Sequence, residues 1–333
     1  MLYCRARKRV SQKGPQCYPE RNRARSMNNP PTYRSWQPGD DDMLMPLIEK
    51  SGFLPDIEWY RDKFEDAGVM PEGILLALCD GALAGHLMCY DRRLMIGDRQ
   101  RRIGGLGLVY VENTCRGLGI GKTLTRQAIA YHRERGNHAV MLFTLTTLLP
   151  AYPMYQKEGF DTVVVRETYR RQLTPVGGPD PPFRAYAPGD RDRARRMVHD
   201  YAILQTGYTM EYIEAFPSAD IAAGLRVVEI DGRLSGLYRR SGTGAEVRIS
   251  NLAFVEPITA AGMLEMIIAD LAQTEFSTVE IWVNNGHVLR PVLIKSGFVE
   301  GEPDPGVLMM KPLQDNKIFP TDAHIEMECC KLW

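Results

Sequence analysis

The stretch RGLGIGKT, Arg116 to Thr123, decides how this chain is read. A glycine-rich run ending in Gly121-Lys122-Thr123 suggests a cradle for phosphate groups. The nucleoside-triphosphate version needs G-x-x-x-x-G-K-[ST], with its first glycine five residues before the second. Five residues before Gly121 stands Arg116, so the turn glycine is missing. That spacing disfavours NTP hydrolysis. The dinucleotide fingerprint G-x-G-x-x-G fails too: counted from Gly117, its third glycine would fall on Lys122. The plainest alternative is a turn between a strand and a helix, so the flanks must decide.

Upstream, RRIGGLGLVYVEN reads as a strand, and downstream KTLTRQAIAYHRERG reads as a helix with Leu124, Ala128, Ile129 and Tyr131 on one side. HAVMLFTL is a buried type of strand, AYPMYQKEG a short helix and DTVVVRETYRRQL a closing strand. Before the loop, PTYRSW is a strand, while DDDMLMPLIEKSG and DIEWYRDKFEDAG are helical, with early acids and a terminal glycine. GILLALCDGALAGHLMCYDRR is a strand pair around an Asp80-Gly81 hairpin turn.

The pattern then repeats. Tyr33–Asp42, YRSWQPGDDD, matches Phe183–Asp192, FRAYAPGDRD, at an offset of 150; each is a strand, a Pro-Gly turn and an aspartate opening a helix. Tyr152–Phe160, YPMYQKEGF, matches Arg290–Phe298, RPVLIKSGF, at an offset of 138. The length of 333 residues suits two domains of about 150 each. The expected organisation is a basic disordered segment over 1–31, an α/β domain over 32–173 and a Pro/Gly linker over 174–182. A second domain follows over 183–313 and a tail over 314–333. Met27 offers an alternative start.

Composition bounds the rest. Apolar residues make up 44% and charged residues 25%, as in a soluble globular protein. Lys plus Arg and Asp plus Glu balance at 41 each, which gives no electrostatic case for nucleic acid or an anionic membrane. No apolar run approaches the roughly 18 residues of a membrane span. The seven cysteines show neither a C-x-x-C nor Cys/His ligand spacing, so no metal and no disulfide framework is expected. A reducing cytoplasm is the expected location.

The element order, with a loop between the fourth strand and the third helix, resembles the GNAT superfamily of acyl-CoA-dependent N-acyltransferases. The family loop [RQ]-x-x-G-x-[GA] is matched by Arg116 to Gly121, and the family Tyr-x-x-x-Gly-Phe by Tyr155 to Phe160. The resemblance implies two tandem GNAT-like α/β domains, each a mixed, mostly antiparallel sheet flanked by helices. It implies acetyl-CoA as acyl donor, with Arg116, Gly117, Gly119, Ile120, Gly121 and Lys122 around its diphosphate. The physics supports that loop independently. Helix N-termini carry N–H groups without intrahelical acceptors and partial positive charge, and glycines let the backbone approach an anion closely.

By the same resemblance, pantetheine lies between the splayed fourth and fifth strands and pairs with the backbone of Val109 and Val111. Both valines are also ordinary core residues by pattern. Tyr155 is the candidate general acid for the leaving thiolate; without the motif it reads as an aromatic packing residue. The base is unassigned. The family's carboxylate position falls on Gly105, and His86, Asp98 and Glu112 lie nearby in sequence, with Glu112 read as a solvated or capping acid.

The second copy has VEPITAAGMLEM at the loop position and Leu293 at the tyrosine position, so it reads as degenerate. The expected function is N-acetyl transfer to a primary amine of a small molecule or peptide in a ternary complex, with a homodimer as a compatible assembly. A non-catalytic acyl-CoA-binding protein is the alternative.

Overall fold

A computed structural model describes residues 29–51, 68–96, 99–174, 182–206, 208–210, 222–285, 287, 289–302 and 304–314. The proposed N-terminal segment, linker and C-terminal tail lie almost wholly outside the described residues, as do most of the helix read in DIEWYRDKFEDAG and Asp98.

The first half runs β1 (Thr32–Ser35), α1 (Asp41–Ser51), β2 (Ile74–Cys79), β3 (Ala82–Ile96), β4 (Arg99–Val111), α2 (Ile120–Glu134), β5 (Ala139–Leu145), α3 (Ala151–Lys157) and β6 (Asp161–Gln172). The second half runs β7 (Phe183–Ala185), α4 (Arg191–Thr206), β8 (Tyr208–Met210), β9 (Leu225–Ile230), β10 (Arg233–Thr243), β11 (Glu246–Phe254), α5 (Ala260–Ala272), β12 (Thr278–Asn284), α6 (Arg290–Lys295), β13 (Val299–Glu300) and β14 (Gly306–Pro312). This is an α/β fold with a mixed sheet flanked by helices. Among the described residues no helix is long and apolar enough to cross a membrane.

Local chemistry explains the turns. Asp80-Gly81 and Asp231-Gly232 both take positive φ at each residue, the conformation a two-residue hairpin requires. The two Pro-Gly-Asp stretches also share a side-chain device. Arg34 holds Asp40 at 2.7 Å and Asp40 accepts from the Gln37 N–H; Arg184 holds Asp190 at 2.8 Å and Asp190 accepts from the Ala187 N–H. In α2, Leu124, Ala128, Ile129 and His132 form the buried face, and the first three pack with Val140 and Leu142 of β5. Their i, i+4, i+8 spacing is that of an apolar helix stripe.

The strand order corrects one expectation. Two separately closed sheets were read from the sequence. The structure instead has one path, β1-β2-β3-β4-β5-β14-β6-β12-β11-β10-β9-β7. β14, the last strand of the chain, pairs antiparallel with β5 from Gly306↔Leu145 to Pro312↔Ala139, and with the start of β6. The rest of β6, Arg166 to Gln172, pairs with β12. Each half therefore completes its sheet with the other's closing strand. A further strand, β8, pairs with the end of β3.

Candidate functional site

The site begins where two strands part. β4 and β5 pair in parallel from Ile103↔Ala139 to Leu106↔Leu142, and there the pairing stops, although β4 runs on to Val111 and β5 to Leu145. A bulge lies just beyond. Between His86 and Met88 of β3, β4 has an extra residue, and Leu108 takes φ 52°. Gly107 is required beside it, because a Cβ there would come within 2.7 Å of the Tyr90 ring. The parting and the bulge open a fork bordered by Val109 and Val111, both half-buried against the core that contains α2.

The fork points at the start of α2. Gly119 is its N-cap at φ 78°, with no side-chain capping bond, and Gly117 has φ 86°. A Cβ at either glycine would meet no protein atom within 4 Å. These glycines are therefore needed for the left-handed backbone, and the space in front of them is open. The first N–H groups of α2 face that space with the helix dipole behind them. These residues fit an anionic diphosphate.

The remaining loop residues have defined places. Arg116 donates from Nε to the Val111 carbonyl at 3.2 Å, and its guanidinium lies 5.9 Å from the centre of the Tyr110 ring. Ile120 is buried in the core under the helix start. Gly121 faces Val111 and Met154, where a Cβ would make ordinary contacts of 3.6 and 3.8 Å. Lys122 is half exposed, and its Nζ is 3.8 Å from Glu158, which also accepts from Arg126 at 2.8 Å. Lys122 thus ties α2 to α3.

Tyr155 lies in α3, buried in the same core as Ile120 and Leu142 and edge-on to Phe160 at 5.9 Å. Burial pushes its hydroxyl above the ordinary phenol value. The group therefore keeps its proton across the neutral range.

Base candidates fare differently. Glu112 is a capping acid: its Oε1 accepts from the Asn113 N–H at 3.1 Å and opens a short 3-10 turn. His86 is buried on β3, and desolvation lowers its pKa to about 4. It is neutral at pH 7 and a weak proton acceptor. Gly105 offers only its carbonyl, 3.2 Å from His132 Nε2. Gly104 makes room for that ring, since a Cβ would come within 2.4 Å of it. His132 belongs to a buried structural network. Asn137 links it to Asp91, which also accepts from Arg135 at 2.6 Å. Burial works against ionising Asp91, yet the bonds from His132, Asn137 and Arg135 hold its carboxyl well below the usual range.

The corresponding place in the second half differs. The N-cap of α5 is Thr259, whose Oγ1 accepts from the Gly262 N–H at 3.1 Å. A donor that α2 turns outward is consumed there by the helix's own cap. Leu293 is fully buried. The Thr259 cap went unread in the sequence, although a threonine three residues before Gly262 and ahead of an apolar run is a recognised signal.

Residues 41–160 match the acetyltransferase (GNAT) family model. A mycothiol acetyltransferase from Thermomonospora curvata is 28% identical over 146 residues, covering 42% of this chain and 47% of that protein. One from Cellulomonas flavigena is 31% identical over 156 residues, 44% of each. The chain thus matches just under half the length of these curated relatives.

Among solved structures, a conserved protein of unknown function from Enterococcus faecalis V583, described as a probable N-acyltransferase, aligns with a TM-score of 0.67 at 13% identity. The alignment covers 85% of this chain and 72% of that one. A GCN5-related N-acetyltransferase from Anabaena variabilis gives 0.66 at 13% identity, with 85% and 73% covered. These likenesses show the fold. Among the described residues no group of three or more His, Cys, Asp or Glu could hold a metal ion.

Proposed function

We propose that this chain transfers an acetyl group from acetyl-CoA to the primary amine of a small molecule, using the fork of the first half. The observation that carries the reading is the alignment of three features. The β4–β5 pairing ends at Leu106 and Leu142, the bulge at Leu108 turns the backbone, and the open N-terminus of α2 stands ahead of the loop at Gly117 and Gly119. The name shared by the curated relatives, mycothiol acetyltransferase, favours a small-molecule acceptor over a peptide.

In this reading the diphosphate is held by the first N–H groups of α2, with Arg116 fixing the loop and Lys122 adding positive charge. The backbone of Val109 and Val111 pairs with the amides of the extended donor arm; the Val111 carbonyl already accepts from Arg116, and a carbonyl has two lone pairs. Tyr155 supplies a proton to the departing thiolate as the amine attacks. Glu112 is committed to a cap and His86 is reluctant to protonate, so the amine attacks in its neutral form and its proton leaves through water. The second half is a duplicated unit that has lost the diphosphate cradle and the acid, and it shapes the acceptor side.

Thiol release from acetyl-CoA, followed with and without a panel of small amines, tests the reading. Amine-dependent release with matching acetylated product supports it. Saturable acetyl-CoA binding with no amine-dependent release would instead indicate a binding protein.

A further inference from the structure

Two cations of α2 converge on one carboxylate at the end of α3. Lys122 and Arg126 stand four residues apart, so they share a face of α2. Glu158 receives both: its Oε1 is 3.8 Å from the Lys122 Nζ, and its Oε2 accepts from the Arg126 Nε at 2.8 Å. Both cations are exposed, whereas the Glu158 side chain is only 8% exposed. A carboxylate so withdrawn from water depends on its partners.

Glu158 also closes the helix that carries Tyr155. Its N–H donates to the Met154 and Tyr155 carbonyls at 3.0 and 3.1 Å. Met154 lies over Gly121, where an added Cβ would stand 3.8 Å from its sulfur. The short helix α3 therefore rests on the first turn of α2 through Met154 and is pinned there by Glu158. Tyr155 lies between these two residues in sequence, so the pin bears on where its hydroxyl sits relative to the start of α2.

The pin has an electrostatic consequence. Lys122 is in the first turn of α2, beside the N–H groups that face the open space in front of Gly117 and Gly119. An anion arriving there is attracted by Lys122 and repelled by Glu158, and it competes with Glu158 for the lysine.

We propose that Glu158 is a positioning residue that clamps the helix bearing Tyr155 onto the donor-binding helix, and that it lowers donor affinity by competing with the diphosphate for Lys122. This rests on the acyl-transfer reading above. Donor binding draws Lys122 toward the phosphates, and Arg126, one turn farther along and bonded at 2.8 Å, keeps the clamp closed. The same competition loosens spent CoA, which carries the same diphosphate.

Glu158→Gln in the full chain tests this, because the amide keeps the shape and loses the charge. Acetyl-CoA should bind about threefold more tightly by calorimetry, the scale of one partly exposed ion pair. The kcat, read as thiol release with the panel amine that the wild type acetylates fastest, should fall by roughly tenfold to a hundredfold as Tyr155 loses its place. General loss of structure would lower affinity and kcat together, so the opposite signs are the signature. In a Lys122→Met background the gain in affinity should vanish. Glu158→Asp keeps the charge on a shorter stem; it should lower kcat with no gain in affinity, and it keeps the test open should the glutamine variant fail to fold. Unchanged or weaker acetyl-CoA binding by a folded Glu158→Gln, or a gain that persists without Lys122, would overturn the competition. Unchanged kcat in either Glu158 variant would overturn the positioning role. A wild type that binds acetyl-CoA but acetylates no amine would sink acyl transfer, and the calorimetric comparison would still decide the competition for Lys122.

Discussion

Arg116 donates its Nε to the backbone carbonyl of Val111 at 3.2 Å, tying the first residue of the glycine loop to the last residue of β4. The tie spans five residues and sets how the loop leaves the strand. Arg116 therefore shapes the loop from behind, whatever else its guanidinium reaches.

Arg116→Ala should weaken acetyl-CoA binding by about tenfold, the order expected from losing one charge-assisted bond. Thermal stability should fall by about 1 kcal/mol, because the residue is half-buried and water replaces part of the bond. Arg116→Lys should not restore affinity, since lysine has no Nε–H to reach the carbonyl. Calorimetric titration checks this, and wild-type affinity in the alanine variant would contradict it.

The exchange of closing strands makes the halves interdependent. A chain ending at residue 304 would lose β14 and expose the edges of β5 and β6. It should fail to melt cooperatively and should not bind acetyl-CoA, although the loop and Tyr155 are intact. Circular dichroism melting and calorimetry test this, and a cooperative, ligand-binding truncation would refute it. The segment 183–313 alone should also be unstable, because it lacks the part of β6 that pairs with β12 and β13.

Tyr155→Phe removes only a hydroxyl and keeps the edge-on packing on Phe160. Turnover should fall by roughly 10²–10⁴-fold, the range for a positioned proton donor, with acetyl-CoA affinity nearly unchanged. The loss should appear in kcat and kcat/KM together. Thioesters with more acidic thiols should suffer less. Full kcat in this variant, with chemistry shown to be rate-limiting, would reduce Tyr155 to packing.

His86 sets an acid limit on stability. Its folded pKa, about 4, lies below the unfolded value of about 6.5. Below pH 6.5 the unfolded chain takes up a proton that the native chain does not, so stability falls with pH until about pH 4 and then levels off for this group. The loss is on the order of 3 kcal/mol. Asp91, with its depressed pKa, stabilises the fold above the usual carboxylate range and loses that contribution as pH falls further. Urea titrations at pH 7 and pH 5 should show the drop, and His86→Leu should flatten it. An unchanged slope in that variant would count against this assignment.

Features written in local chemistry were legible in the sequence. The Asp80-Gly81 and Asp231-Gly232 hairpins follow from turn residues, and α2 follows from its glycine start and apolar stripe. The repeat of Arg34–Asp40 in Arg184–Asp190 was visible as a pattern. The exchange of β6 and β14 was not, because TVVVRETYRRQ and GVLMMKP alternate in the same way whichever neighbour they pair with, and partner choice is a long-range property. The bulge was hidden as well: IGGLGLV shows glycines, yet the residue that takes positive φ is Leu108.

The central claim is that acetyl-CoA binds in the first-half fork against the start of α2. Titrating acetyl-CoA calorimetrically into the wild type, Gly121→Ala and Gly121→Glu tests it most directly. A Cβ at Gly121 makes only ordinary contacts with Val111 and Met154, so the alanine variant should fold and serve as a steric control. The account predicts one acetyl-CoA per chain in the wild type, modest weakening in Gly121→Ala, and no measurable binding in a folded Gly121→Glu, where a carboxylate meets the diphosphate. Unchanged affinity in Gly121→Glu, or two equivalent acetyl-CoA sites per wild-type chain, would contradict it.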